Sequence, residues 1–315
     1  MAPTTGQRWS STVTPVTTSI LPGFAFAFDI DGVLLRSSSP IPGASEALNL
    51  LYSNNIPFIL LTNGGGKHES ARVTELILVT GGDGDKCRKV AEMYGFTKVV
   101  TPGDILMAYP TIWPFNQIFS DYYIVLDLLL SEKGILGTHS SKNGDTSLPN
   151  NGWQQDGQPK LYFSNPDLFW ATNHHMPRLG QGGFQASLEG VWNATTGGAK
   201  LERTVIGKPH SATYKYAERV LNNYRTHMLG GNGEIKRKVP HLKRVFMVGD
   251  NPESDIRGAN DFESSHGTDW TSVLVKTGVY QSGTVPAYKP KVIVRDVYEA
   301  VKWALDQEGW HSAHK

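Results

Sequence analysis

Asp29 and Asp31 stand two residues apart at the end of "FAFAFDIDGVLL" (Phe24 to Leu35), a run that is otherwise almost wholly apolar. The Phe/Ala alternation reads as a strand covered on both faces, of the kind that fills the middle of a parallel sheet. Its carboxyl end is where open α/β sheets gather their ligands, so the two acids fall where chemistry is done. Three further apolar runs end in reactive side chains: Thr62 in "LLTNGGG", Lys208 in "VIGKPH", and Asp250 with Asp255 in "MVGDNPESD". Singly, each has an ordinary explanation as a turn cap, a solvated lysine or an Asx turn. Together, clustered acids, a hydroxyl and a lysine at one sheet edge are the parts of a phosphoryl-transfer site, with a metal ion to neutralise the carboxylates.

The elements that must position these groups alternate. "SEALNLLYSNN" (Ser45 to Asn55) has helical apolar spacing, and "IPFILLTNGGG" (Ile56 to Gly66) is a short strand stopped by glycines. A later group runs through "TVIGKPH", a helix over "SATYKYAERVLNNY", strands at "KRVFMVGD", "TSVLVKTGV" and "KVIVRD", and a last helix "VYEAVKWALDQ". This order predicts an α/β fold with a doubly wound parallel sheet. "ILVTGGDGDKCRKVAEMYGF" (Ile77 to Phe96) has the outline of a dinucleotide-binding turn but puts Cys87 where the third glycine belongs, so it reads as an ordinary βα turn. "GTHSSKNGDTSLPNNGWQQDGQPK" (Gly137 to Lys160) has almost nothing apolar to bury and reads as a long surface loop or a disordered stretch.

Composition narrows the classes. The 315 residues carry 30 basic against 29 acidic side chains, a formal net charge of +1, which calls for neither nucleic acid nor an anionic membrane surface. One cysteine leaves no internal disulfide framework. No stretch approaches the roughly 20 apolar residues of a spanning helix. The first twenty residues are rich in Ser and Thr with a single Arg, the composition of a transit peptide or of a flexible tail. A mitochondrial or otherwise cytoplasmic location is the expectation.

In order and content the four motifs resemble the haloacid dehalogenase (HAD) superfamily: "DIDGV", Thr62, Lys208 and "GDNPESD". "PFILLTNGGG", "YFSNPDLFWA" and "GQGGFQASLEGVW" are similar to the class IIA branch that includes the haloacid dehalogenase-like hydrolase domain-containing 5 proteins. The resemblance implies a Mg²⁺-dependent phosphatase acting on a small phosphorylated metabolite through an aspartyl-phosphate. Asp29 would be the nucleophile and Asp31 the general acid and base, Thr62 would bind a phosphoryl oxygen, and Lys208 would hold the charges in place. Mg²⁺ would be held by Asp29, Asp31 and Asp250 with Asp255 in support. Asn63, Gly64, Asn165 and Asp167 are the expected substrate-binding residues, and His174 and His175 read as rim or surface residues. A carboxylate at position 31 distinguishes a phosphatase, which must protonate an alkoxide, from a dehalogenase, whose halide leaves without a proton.

The class IIA pattern further implies an inserted α/β cap. The expected division is a tail at 1–23, a HAD core at 24–76 and 164–305, a cap at 77–163, and a tail at 306–315. Two segments, Lys67 to Gly82 and Pro114 to Asp127, are shorter than the pattern, as from internal losses. The resemblance also suggests a link to mitochondrial glycerophospholipid metabolism and a homo-oligomer. A non-catalytic HAD-fold protein that acts by binding is the alternative.

Overall fold

The computed structural model describes residues 22–37, 39–63, 120–229 and 239–310, with the single positions 88, 99, 104 and 107. The 1–21 tail, the Ile77 to Phe96 turn apart from position 88, and Gly64 lie outside the described residues.

A five-stranded sheet carries the fold, in the order Val292–Val294, Asp269–Val275, Arg244–Gly249, Phe24–Phe28, Phe58–Leu60, and every pairing in it is parallel. The Phe24–Phe28 strand lies inside the sheet, between Arg244–Gly249 and Phe58–Leu60, and is buried along its whole length, as its two-sided apolar pattern requires. Its alternation sorts two cores. Phe24, Phe26 and Phe28 face the helices Ala44–Ser53 and Val297–Gln307 through Ala47, Leu51, Ala300 and Val301. Ala25 and Ala27 face the other way, where their small side chains leave room for Tyr214 and Leu221 of the long helix Ser211–Leu229 and for Trp270. Helices on both faces of a parallel sheet make this the doubly wound α/β architecture.

Register then sets the site. Phe28 pairs with Leu60 on one side and Val248 on the other, so Asp29, Thr62 and Asp250 leave three adjacent strands at nearly one level. The Asp29 N–H donates to Val248 O at 3.0 Å and the Leu61 N–H to Phe28 O at 2.7 Å, which carries the pairing to the edge of the loops.

Lys208 departs from the expectation of four tips on one sheet. The strand before it, Arg203–Val205, is not in the five-stranded sheet; it pairs in parallel with Leu161–Phe163. That pair belongs to a third hydrophobic cluster, in which Val125, Leu126 and Leu129 of the helix Ser120–Leu130 meet Phe163, Leu201, and Leu188 and Trp192 of the helix Gln181–Thr196. A boundary at residue 163 cuts through this cluster, because Phe163 and Leu188 are packed in one apolar unit; we propose that the inserted layer runs on to Val205. The stretch from Gly137 to Lys160 is a chain of turns held to this layer, with Trp153 edge-on to Trp192 at 6.0 Å between ring centroids.

Candidate active site

Four segments converge on the carboxyl edge of the sheet. From the Phe24–Phe28 strand, Asp29 enters buried, and the chain turns at once: the N–H groups of Val33, Leu34 and Leu35 all point to the Ile30 carbonyl, leaving Asp31 half-buried on the turn. The turn needs Gly32, whose φ is +90° and where a Cβ would lie 2.3 Å from Asp250 Oδ2. From the neighbouring strand come Thr62, half-buried, and Asn63, buried.

Lys208 is at the centre. Its ammonium, 1% exposed, lies 2.8 Å from Asp29 Oδ1 and 2.7 Å from Asp255 Oδ1. The other oxygen of Asp255 accepts from the N–H groups of Asp250 at 3.1 Å and Asn251 at 3.0 Å, so both its oxygens are engaged. Asp250 Oδ2 accepts from the Val279 N–H at 2.6 Å. Gly278 makes that approach possible, since a Cβ there would sit 1.8 Å from the same oxygen.

The electrostatics of this cluster follow from its count of charges. Burial alone would lower the Lys208 ammonium, but Asp255, then Asp29 and Asp167, hold it above the ordinary lysine range. One cation does not satisfy so many acids. Burial, then the charges of Asp29 and Asp255, push Asp250 well above the carboxylate range, and burial outweighs Lys208 to push Asp255 up to about 7. Asp31 is also raised, by burial and then by the Asp29 charge. Carboxylate oxygens of Asp29, Asp250 and Asp255 all lie within 4.8 Å of one another. Such a donor set, all oxygen and short of positive charge, fits a hard divalent cation such as Mg²⁺.

The remaining expected residues play different parts. Asn63 does not face open space: its amide donates to Lys208 O at 2.9 Å and to Asp167 Oδ2 at 3.1 Å, and its oxygen accepts the Lys208 N–H at 2.6 Å. Asn165 shapes a turn, its Oδ1 accepting from the Asp167 N–H at 2.8 Å, while Gln185 of the 181–196 helix donates to its carbonyl at 2.7 Å. Asp167 is thereby brought to the site, and its carboxyl is raised by burial, against Lys208 and Asn63. His174 and His175 are exposed beside the two-stranded ladder of Phe169–Trp170 with Arg178–Leu179.

Sequence reasoning had the glycine of "DIDGV" but not its contact with Asp250, and it missed Gly278, the Val279 N–H and Tyr214. Tyr214 is fully buried, its hydroxyl placed to donate to the carbonyls of Asp255 at 3.2 Å and Ser254 at 3.3 Å. The glycine after "VKT" was one available signal, and the helical spacing of Tyr214, Ala217 and Leu221 on one apolar face was another.

Residues 26–79 match the model of the haloacid dehalogenase-like hydrolase family and residues 205–300 that of a HAD-hydrolase-like family. A mitochondrial hydrolase of Saccharomyces cerevisiae is 35% identical over 90% of this chain and 96% of its own length. A cardiolipin synthase (CMP-forming)/mitochondrial hydrolase fusion protein of Schizosaccharomyces pombe is 36% identical over 95% of this chain, which spans 55% of that longer protein. The latter alignment is 359 positions long against a chain of 315 residues, so the relative has segments that this chain lacks. Among solved structures, a p-nitrophenyl phosphatase from Archaeoglobus fulgidus aligns over 90% of this chain and 100% of its own, at 16% identity and a TM-score of 0.45.

Proposed function

Because the chain belongs to the haloacid dehalogenase-like hydrolases, we propose that it is a Mg²⁺-dependent phosphatase of small phosphomonoesters. The observation that carries this reading is the buried Asp29–Lys208–Asp255 array, with Asp250 within reach and Asp31 two residues on. Asp29 attacks phosphorus, forming a bond to its carboxylate oxygen as the ester P–O bond breaks. Asp31, whose raised carboxyl retains its proton more readily than an exposed aspartate, gives that proton to the leaving alkoxide. It then takes a proton from the water that cleaves the aspartyl-phosphate and releases phosphate. Lys208 holds Asp29 in the attacking position, and the Thr62 hydroxyl steadies a phosphoryl oxygen. Asp29 and Asp250, with the Asp31 backbone carbonyl, would hold Mg²⁺, which supplies positive charge against the carboxylates and the phosphoryl group. Asp255 supports that set, with one oxygen on the Lys208 ammonium and the other on the Asp250 and Asn251 N–H groups.

A mitochondrial location and a substrate related to glycerophospholipids are supported by the names of the two relatives, one of which joins such a hydrolase to a cardiolipin synthase. The test is a panel of phosphorylated metabolites, glycerophosphate-type esters among them, assayed with and without Mg²⁺. Phosphate release that requires Mg²⁺ supports the reading. No release from any ester would favour a protein that acts by binding.

A further inference from the structure

We propose that Asn63 is a positioning residue that fixes Lys208 through its backbone, and not a contact to substrate. A single primary amide makes three hydrogen bonds to two other segments. It accepts from the Lys208 N–H at 2.6 Å, donates to the Lys208 carbonyl at 2.9 Å and donates to Asp167 Oδ2 at 3.1 Å. Both polar groups of one residue's backbone are thus held by one side chain, and both N–H bonds of the Asn63 amide are spent. The residue is 8% exposed.

The surroundings are shaped for this clamp. Gly207 has φ +104°, and a Cβ there would lie 2.8 Å from Asn63 Oδ1 and 2.9 Å from the Ser164 carbonyl. A side chain at 207 would therefore push the amide off the Lys208 backbone. Three segments meet at this point: the end of the Phe58–Leu60 strand, the turn into the Ser211–Leu229 helix, and the return at Ser164 to Asp167. Lys208 comes from a strand outside the main sheet. Among the described residues no sheet hydrogen bond sets its height against Asp29, and the Asn63 clamp supplies that register from the strand neighbouring Asp29.

The test has two arms on the full chain. In the first, backbone hydrogen exchange is followed at the Lys208 amide in the parent, in Asn63→Ala and in Asn63→Asp. Exchange should speed up by about tenfold or more in Asn63→Ala, while amides of the central strands such as Phe26 and Val248 stay protected. Asn63→Asp retains an acceptor of the same shape and should keep the Lys208 amide protected. The second arm rests on the phosphatase reading. Both variants, and Gly207→Ala, should lose about tenfold or more in kcat, by the same factor for every ester turned over, with KM little changed. An unchanged Lys208 amide in Asn63→Ala overturns the proposal. So does a loss confined to KM or differing from ester to ester, which would mark a substrate contact. If the parent turns over no ester the phosphatase reading fails, and the exchange arm alone decides the position of Asn63.

Discussion

Asp250 shows how much of this site is decided within a few ångströms. It is buried, faces other carboxylates, and is given one backbone N–H by Val279. Its folded-state affinity for a proton exceeds that of an unfolded aspartate, and the same holds for Asp255, raised to about 7. The sign follows: between an unfolded value of about 4 and that raised value, the metal-free folded chain binds more protons than the unfolded one, so these two acids favour the folded state less as pH rises. Mg²⁺ bound at this cluster would remove that penalty by supplying charge. The melting-temperature rise on adding Mg²⁺ is therefore expected to be larger at about pH 8 than at about pH 5.5. Asp250→Ala should abolish the rise, as should Gly278→Ala, whose Cβ would displace the Asp250 carboxylate. Thermal melts of the three proteins at both pH values check this; an equal rise in all three would contradict the ligand set. The identities of Asp29, Asp31, Lys208, Asp250 and Asp255 were legible in the sequence because they fall at the ends of apolar runs. The glycines that let Asp250 approach were not, since their role depends on a contact between segments far apart in the chain.

At the scale of elements, the alternation of Phe24 to Phe28 translated directly into a strand buried on both faces, because period-two patterning is a local property. The last helix, Val297–Gln307, was legible to the residue: Asp296 caps it by accepting the Glu299 N–H at 2.9 Å. The strand before Lys208 was legible as a strand, but not its partner, Leu161–Phe163, because pairing is decided by packing against Leu188 and Trp192. Tyr214 joins the levels. It sits in the helix that follows Lys208, fills the space left by Ala25 and Ala27, and its hydroxyl meets the carbonyls of Ser254 and Asp255. Tyr214→Phe keeps the ring and removes those bonds, at a cost of about 1 kcal/mol, or roughly 2–4 °C in melting temperature. Turnover should fall as the loop carrying Asp255 loosens. A variant that melts and turns over as the parent does would show that the hydroxyl does not hold this loop.

For the whole molecule, the expected short segments and the length of the alignment with the fission-yeast relative point the same way, toward stretches that the relative has and this chain lacks. The motifs survive this: the described residues bring Asp29, Asn63, Asp167, Lys208, Asp250 and Asp255 together. Apolar faces that the absent segments would cover carry a cost of about 25 cal/mol per Å² left in water. A chain with the relative's segments restored is therefore expected to melt higher and aggregate less, with the same four motifs. Side-by-side thermal unfolding and light scattering check this, and equal stability would show that the shorter chain closes its own surface. The sequence pattern puts the short segments at Lys67 to Gly82 and Pro114 to Asp127, of which residues 67–82 and 114–119 lie outside the described residues. It could not say how the remaining chain accommodates them, since that depends on packing across the whole fold.

The central claim, that Asp29 is a nucleophile made effective by the charges around it, is tested most directly by one comparison. Phosphate release from the best ester of the panel is measured at saturating Mg²⁺ for the parent and for Asp29→Asn, which keeps the shape of the side chain and removes the attacking charge. The expected result is a loss of about a thousandfold or more with the melting temperature still showing a folded protein. Turnover in Asp29→Asn within about tenfold of the parent would contradict the account.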